Sequence, residues 1–163
     1  MLTKKMQVAL NEQIVMEFNS AYIYLAMAAH FEGENLSGFA HWMKLQYREE
    51  TGHAMKLFEY LHDRGGRVEL QAIDRPVSKY KSAREVFQTV VDHEQAVSAS
   101  IGKLYELAAK EGDHATMVEM QWFIKEQVEE EKSAGKILEQ LKVVGDHGVP
   151  LMMLDRQLAA RGS

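Results

Sequence analysis

Four glutamates occupy positions where the sequence otherwise repeats apolar side chains. Glu17, Glu50, Glu94 and Glu130 each interrupt a long segment whose apolar residues recur every three or four positions, as on the buried face of an α-helix. Each glutamate lies near the middle of its segment. Carboxylates that are buried together repel one another and lose their hydration, at a cost of several kcal/mol each. Because one or two multivalent cations would cancel that charge, the pattern predicts a buried metal site.

Two further polar residues lie on the same helix faces as these glutamates. His53 follows Glu50 by three residues, and Gln127 precedes Glu130 by three, so each pair shares a face. A single histidine on an apolar face usually only packs in the core, but the spacing from Glu50 favours metal ligation. An oxygen-rich set with one imidazole suits iron or manganese better than softer metals. The histidines without such a neighbour, which we predict to be surface or boundary residues, are His30, His41, His62, His93, His114 and His147.

Glycines and one proline divide the chain into segments that can be helical. The breaks fall at Gly33, Gly65-Gly66, Gly112 and Gly145, and Ser37 and Asp113 are candidate N-cap residues. The predicted helices run from about Lys5 to Glu32, Ser37 to Arg64, Ser82 to Gly112, just after Asp113 to about Gly145, and Val149 to Ala160.

The lengths of the connections predict how these helices are arranged. Short links join helices one to two and three to four, so each pair should be antiparallel. Residues 66–81 have no helical period and contain Pro76. Fully extended, this stretch spans roughly 50 Å, which exceeds the ~42 Å length of a 28-residue helix. Helices two and three can therefore be parallel. We predict an all-α fold in one domain over residues 1–163, with a crossover four-helix bundle at about 5–145 that places the four glutamates at one level.

The composition argues against several classes of protein. The chain has no cysteine, so it forms no disulfide and no thiolate metal site. Its net charge is -5, which makes nucleic acid a poor partner. No apolar run approaches the roughly 18 residues that a membrane span needs. The first residues, MLTKKMQVALNEQ, have no signal-peptide pattern, so we predict a cytoplasmic protein.

Four sequence stretches carry a resemblance to a known family. The runs LNEQIVMEFNSAYIYLAMA, EETGHAMKLFEYL, DHEQAVSASI and EQVEEE resemble the non-haem bacterial and archaeal ferritins, and the resemblance extends from about Met6 to Leu158. It implies a ferritin-like four-helix bundle with a short fifth helix. It also implies a hollow homo-oligomeric shell of 24 subunits that oxidises Fe(II) with O2 or peroxide and stores ferric mineral.

The resemblance also implies roles for individual residues. One iron would be held by Glu17, Glu50 and His53, and a second by Glu94 and Glu130, with Glu50 bridging and Gln127 nearby. Tyr24 would lie beside this pair of irons. A third, looser iron site would consist of Glu49, Glu126, Glu129 and Glu130. The sequence itself favours another interpretation of this third site, because the charged run from Glu126 to Glu131 is typical of a solvated helix face.

The sequence departs from related families at specific positions. Symmetric di-iron carboxylate proteins carry a Glu-x-x-His motif on two helices. Here only the second helix has it, and the fourth has Gln127 and Glu130 instead. Thr51 occupies the position of the haem-ligating methionine of bacterioferritins, so no haem is expected. Met117 and Met120 replace the acidic pair that lines the threefold channel in animal ferritins, so iron entry through such an acidic channel is not expected.

Three alternatives remain open at this stage. A di-iron oxidase or peroxidase of the rubrerythrin type would use the same bundle, but rubrerythrin carries a cysteine-rich module. A DNA-protecting mini-ferritin would build its iron site between subunits. A shell with a degenerate site is the third alternative, and the complete ligand set argues against it.

The predicted fifth helix is short and apolar. It contains Pro150 in its first turn, where proline is tolerated. Its apolar residues are Leu151, Met152, Leu154 and Leu158. Because so short a helix is marginal alone in water, we predict that it is buried at a subunit junction.

Overall fold

Five α-helices form the regular structure of the computed structural model, which describes residues 2–162. The helices are α1 (Lys4–Gly33), α2 (Ser37–Asp63), α3 (Ala83–Glu111), α4 (His114–Val144) and α5 (Gly148–Ala159). No strand occurs between residues 2 and 162, so the all-α prediction is confirmed. The predicted helices match these bounds within one or two residues. The first and last residues of the predicted domain lie outside the described range. No helix among these residues is both long and apolar enough to cross a membrane.

Side-chain caps begin α3 and α4, and of these two caps the sequence predicts the one at Asp113. The Ser82 hydroxyl accepts a hydrogen bond from the Glu85 backbone N–H at 3.2 Å, and the Asp113 carboxylate accepts one from the Thr116 N–H at 3.2 Å. Such bonds satisfy N–H groups that have no partner within the helix. Ser82 and Asp113 therefore fix the beginnings of α3 and α4.

The prediction of a cap at Ser37 is wrong. Ser37 is the first residue of α2, and the cap position belongs to Leu36, whose side chain cannot accept a hydrogen bond. Leu36 packs against the apolar core instead. An apolar contact of this partly buried leucine thus takes the place of a hydroxyl cap at the beginning of α2.

Aromatic contacts establish the direction of the helices. Phe31, near the end of α1, stacks on Phe39, near the beginning of α2, with ring centroids 5.0 Å apart. Phe39 also meets Phe87, near the beginning of α3, at 5.9 Å. Consequently α1 and α2 are antiparallel, whereas α2 and α3 are parallel. Residues 64–82 contain no helix and run the length of the bundle between them, as predicted.

The apolar core is divided into two clusters, one toward each end of the bundle. Phe39 and Phe87 belong to the first cluster, and Leu57 and Ile101 belong to the second. A layer of buried polar side chains separates the two clusters. Its members are Gln13, Glu17, Gln46, Glu50, His53, Glu94, Gln127 and Glu130.

A tyrosine near the end of α2, Tyr60, is only half-buried. Its hydroxyl reaches the Thr116 Oγ1 atom at 2.8 Å and also accepts a hydrogen bond from Arg64. A tyrosine hydroxyl needs polar partners when its ring is buried. The need for those partners keeps Tyr60 at the edge of the core.

The position predicted for the fifth helix is wrong in part. The apolar face of α5, made by Leu151, Leu154 and Leu158, is buried within its own subunit as part of the first core cluster. It lies mainly against α2, where the backbone N–H of Phe39 donates to Asp155 Oδ1 at 2.9 Å. The sequence shows that the leucine face must be buried. It does not show whether another subunit or the end of the same bundle covers that face. The opposite face stays exposed, and it includes Val149, Met152 and Met153.

Candidate metal centre

Three residues of the polar layer form a compact group of potential metal ligands. Glu17 of α1 and Glu50 and His53 of α2 each offer one ligand atom, and these atoms all lie within 4.8 Å of one another. Their exposed fractions are 0%, 1% and 6%. Among residues 2–162 this is the one such group of three or more histidine, cysteine or acidic side chains.

The donor atoms of this group lack partners within the described chain. Glu17 Oε2, both carboxylate oxygens of Glu50 and His53 Nδ1 are buried and make no hydrogen bond to residues 2–162. Leaving such atoms buried without partners costs about 1–3 kcal/mol each, and more for a charged group. The other Glu17 oxygen accepts a hydrogen bond from Gln13 Nε2 at 2.7 Å, which orients that carboxylate. The unpaired atoms converge, so this chemistry fits a bound cation.

The carboxylates of α3 and α4 complete the other side of the layer. Gln127 Nε2 donates to Glu94 Oε2 at 3.0 Å. Gln46 Nε2 donates to Glu130 Oε2 at 2.7 Å. Glu94 and Glu130 are thus held by amides, which leave lone pairs of the carboxylate oxygens free for a cation. The fold therefore brings the four predicted glutamates, Glu17, Glu50, Glu94 and Glu130, into one buried layer.

Glu17, Glu50 and Glu130 of this layer resist ionisation. Burial, and after it the charge of Glu50, raises the pKa of Glu17 well above its usual value. Burial, and after it the charge of Glu94, raises the pKa of Glu50 in the same way. Burial and the charges of Glu94 and Glu49 raise the pKa of Glu130 to about 7. A bound cation would reverse these shifts because it favours the ionised form.

Aromatic rings surround the layer. The Tyr24 hydroxyl donates a short hydrogen bond to Glu94 Oε1, and burial together with the Glu94 charge raises the pKa of Tyr24. The His53 ring meets the edges of Trp122 and Phe123, with centroids 5.5 and 5.9 Å away. The rings leave the imidazole little freedom to turn, so its nitrogen is already aimed at the two carboxylates.

Known proteins are similar to this chain in both sequence and fold. A profile of the ferritin-like domain matches residues 7–144. The bacterial non-heme ferritin of Bacteroides fragilis (strain 638R) is 42% identical over 161 residues, which are 99% of this chain and 100% of that protein. The chain belongs to the ferritin family. An open pore ferritin from the hyperthermophilic archaeon Archaeoglobus fulgidus has a TM-score of 0.98 at 44% identity, covering 99% of this chain and 100% of that one.

Membership of the family supports a function in iron storage. Ferritins bind iron, and the buried Glu17, Glu50 and His53 group of this ferritin is a candidate place for it. A second relative, the non-heme ferritin of Staphylococcus aureus (strain USA300), is 35% identical over 161 residues, covering 99% of this chain and 97% of that protein.

Two of the residues expected to form a third iron site lie beside basic side chains in this ferritin. Glu49 is paired with Arg161, whose Nη2 atom lies 3.0 Å from Glu49 Oε1. Glu126 is half-buried, and Glu129 is exposed and lies 3.8 Å from Lys132. The charged run on α4 thus lies mostly on an accessible face.

Sequence reasoning missed three residues of this ferritin that contact the centre. Gln13 precedes its partner Glu17 by four residues, and this spacing could have revealed it. The hydrogen bond from Gln46 to Glu130 depends on how α2 and α4 pack, which spacing within one helix does not show. Arg161 contacts Glu49 across 112 positions, and no local pattern signals that contact.

Proposed function

We propose that this ferritin oxidises Fe(II) at a two-iron centre within each subunit and passes the product to a ferric mineral in a hollow shell. The observation that carries the proposal is the buried, unpaired Glu17, Glu50 and His53 group, with Glu94 and Glu130 in the same layer. Iron is the substrate and the cargo. Hard carboxylate oxygens favour Fe(III) over Fe(II), so the ligand set itself favours oxidation.

Each of the two irons has a distinct ligand set in this proposal. Glu17, Glu50 and His53 hold the first iron. Glu94 and Glu130 hold the second, with Gln127 beside it. Glu50 bridges the two because neither of its oxygens makes a hydrogen bond within the described chain, although His53 Nδ1 lies 3.4 Å from Oε2.

The oxidation balances with two irons for each oxygen molecule. Each Fe(II) gives up one electron, and O2 accepts both electrons together with two protons to yield hydrogen peroxide. Peroxide could serve as oxidant in the same centre. Tyr24 acts as a positioning residue, because its hydroxyl fixes Glu94 through a short hydrogen bond.

The asymmetry of the centre favours transit of iron over its retention. Only the first set contains an imidazole, whereas the second combines carboxylates with an amide. The second iron is therefore held more weakly and leaves toward the third, looser site at Glu49, Glu126 and Glu129. A centre that retained both irons as a cofactor would bind them more equally if each iron had a histidine ligand.

We further propose that the subunits assemble into a shell of 24 copies in the cytoplasm, with residues 1–163 as a single domain. The similarity to an open pore archaeal ferritin supports a shell. An engineered closed form of the same archaeal ferritin has a TM-score of 0.97 with this chain. Light scattering tests the assembly. A particle of about 24 subunits that gains an iron core supports storage, whereas a stable dimer that holds two irons would favour an oxidase.

Replacing Glu50 with Ala should abolish rapid Fe(II) oxidation, because the change removes a ligand from both irons. The measurement is stopped-flow absorbance after mixing the metal-free shell with Fe(II) in oxygenated buffer. The control is Glu59→Ala, which alters an exposed carboxylate on the same helix and should leave the rate unchanged. A normal rate for Glu50→Ala in an intact shell would refute the two-iron scheme.

A further inference from the structure

An arginine that follows α5 reaches the edge of the metal centre. The Arg161 Nη2 atom donates to both oxygens of Glu49, at 3.0 and 3.2 Å. Its Nη1 atom donates to Gln46 Oε1 at 2.6 Å. Gln46 in turn donates to Glu130 at 2.7 Å. A continuous chain of hydrogen bonds therefore links Arg161 to a proposed iron ligand.

Further contacts hold Arg161 in this position. Its guanidinium carbon lies 5.1 Å from the centroid of the Trp42 ring, in a cation–π arrangement. Its backbone carbonyl oxygen lies 2.9 Å from His41 Nε2, where it accepts a hydrogen bond from the ring N–H. The Arg161 side chain is 29% exposed and that of Glu49 38%. The Arg161 side chain is thus held between the Trp42 ring and the polar groups of Glu49 and Gln46.

The guanidinium engages the same oxygens that a metal ion would need. A planar guanidinium fork that bonds both oxygens of a carboxylate covers the lone pairs directed toward it. Glu49 lies close enough to the centre for its charge to act on Glu50 and Glu130. A cation held by Glu49 would therefore lie near the same guanidinium, and two positive charges in that space repel each other.

We propose that Arg161 is the resident counter-cation of the third iron site, and that an incoming ion must displace it from Glu49. Arg161 thereby weakens the hold of this site on iron and favours onward release. The inference rests on the proposed function, because it assumes that Glu49 serves as an iron ligand. Nothing in it depends on oxidation at the two-iron centre.

Replacing Arg161 with Gln should tighten the binding of a third divalent ion. A partly exposed ion pair is worth up to about 1 kcal/mol, which corresponds to roughly a fivefold change in affinity. The measurement is a calorimetric titration of the assembled, metal-free protein with Zn²⁺, which does not change its oxidation state. We expect about fivefold tighter binding of the third Zn²⁺, with the first two unchanged. Arg161→Lys, which keeps the charge without the fork, should fall between.

Matched variants separate this inference from a general effect of charge. Arg156→Gln removes an exposed arginine from α5 and should bind Zn²⁺ as the wild type does. Adding Glu49→Gln to Arg161→Gln should abolish the gain. Crystals of the wild-type protein soaked in Zn²⁺ should show the Arg161 side chain turned away from Glu49, which tests the inference even if Arg161→Gln fails to assemble.

The outcomes distinguish failure of the inference from failure of the site. Equal or weaker third-ion binding in Arg161→Gln, or Zn²⁺ on Glu49 with the guanidinium still in place, would overturn the role of Arg161 and leave the third site intact. If no variant, including wild type, binds a third Zn²⁺, the third site and the inference both fall. The two-iron centre is then still judged separately, by the oxidation rate of Glu50→Ala.

Discussion

The carboxylates of the metal centre differ in how far the protein itself satisfies them. Glu94 accepts hydrogen bonds from Tyr24 and Gln127, and Glu130 accepts one from Gln46. Glu50 accepts none from the described residues. The energetic benefit of a bound cation is therefore largest at Glu50, which is also the residue proposed to bridge two irons.

Binding of Zn²⁺ should release more protons at pH 6 than at pH 8. The pKa of Glu130 is raised to about 7 by burial and by the charges of Glu94 and Glu49. Only the ionised carboxylate binds a metal ion, so at pH 6 binding must first expel the Glu130 proton, and the affinity falls accordingly. Glu130 alone should contribute a difference close to one proton per subunit. Calorimetry in two buffers of different ionisation enthalpy measures it.

Two variants assign this proton to Glu130. Glu130→Gln should lose about one proton of the difference, while Glu139→Gln, which alters a carboxylate that is 70% exposed on the same helix, should keep all of it. If Glu130→Gln released as many protons as the wild type at both pH values, the assignment would be wrong.

The sequence predicts ligand types better than it predicts their supporting partners. Glu17, Glu50, Glu94 and Glu130 stand out because each breaks an apolar period, which is a property of one segment at a time. The contact of Arg161 depends on where α5 docks and on the fold of the whole chain. No period or spacing carries that information.

Among the elements, α5 shows most clearly how a small residue positions a helix. A Cβ atom at Gly38 would lie 1.7 Å from the backbone carbonyl oxygen of Asp155. Only glycine permits α5 to approach α2 this closely. The sequence shows Gly38 as an ordinary glycine early in a helix, because the reason for it lies more than 100 residues away.

Gly38→Ala should destabilise the subunit, because the added methyl group must push α5 away from α2. Overpacking of this kind costs roughly 1–3 kcal/mol. The measurement is unfolding in guanidinium chloride. Gly52→Ala is the matched control on the same helix, since a Cβ there meets nothing within 4 Å. That control should gain up to about 1 kcal/mol from helix propensity. Equal stability of Gly38→Ala and wild type would show that α5 is not held at this contact.

In the molecule as a whole, the exposed apolar residues of α4 and α5 form a surface that the subunit leaves uncovered. Val143 is 87% exposed and Met153 is 65% exposed, and both line a groove with Pro150. A subunit junction at this outer face of α5 stays a prediction, whereas the leucine face is buried within the subunit itself. The helices, the crossover and the polar layer follow from sequence periods and loop lengths, but the choice between these two faces required the packed structure.

Met153→Asp should weaken the assembly of subunits if this groove is a junction. A carboxylate buried there without a partner costs about 1–3 kcal/mol per contact, and a closed shell repeats the contact in every subunit. Light scattering should then find smaller particles. Ala115→Asp, which adds the same charge at an exposed position in the first turn of α4, at the opposite end of that helix from the groove, should assemble normally. A full-sized Met153→Asp particle would place the junction elsewhere.

The division of the core into two apolar clusters has a consequence for local opening. Helices usually fray from their ends, where hydrogen bonds are fewest, while their centres stay closed. In this bundle the centre is a layer of carboxylates that repel one another, whereas both ends are apolar and tightly packed. Without metal, the middle turns are therefore expected to open first and to exchange their amide protons early. A cation bound by the proposed ligands on all four helices would reverse that order, so the middle of the bundle would then open last.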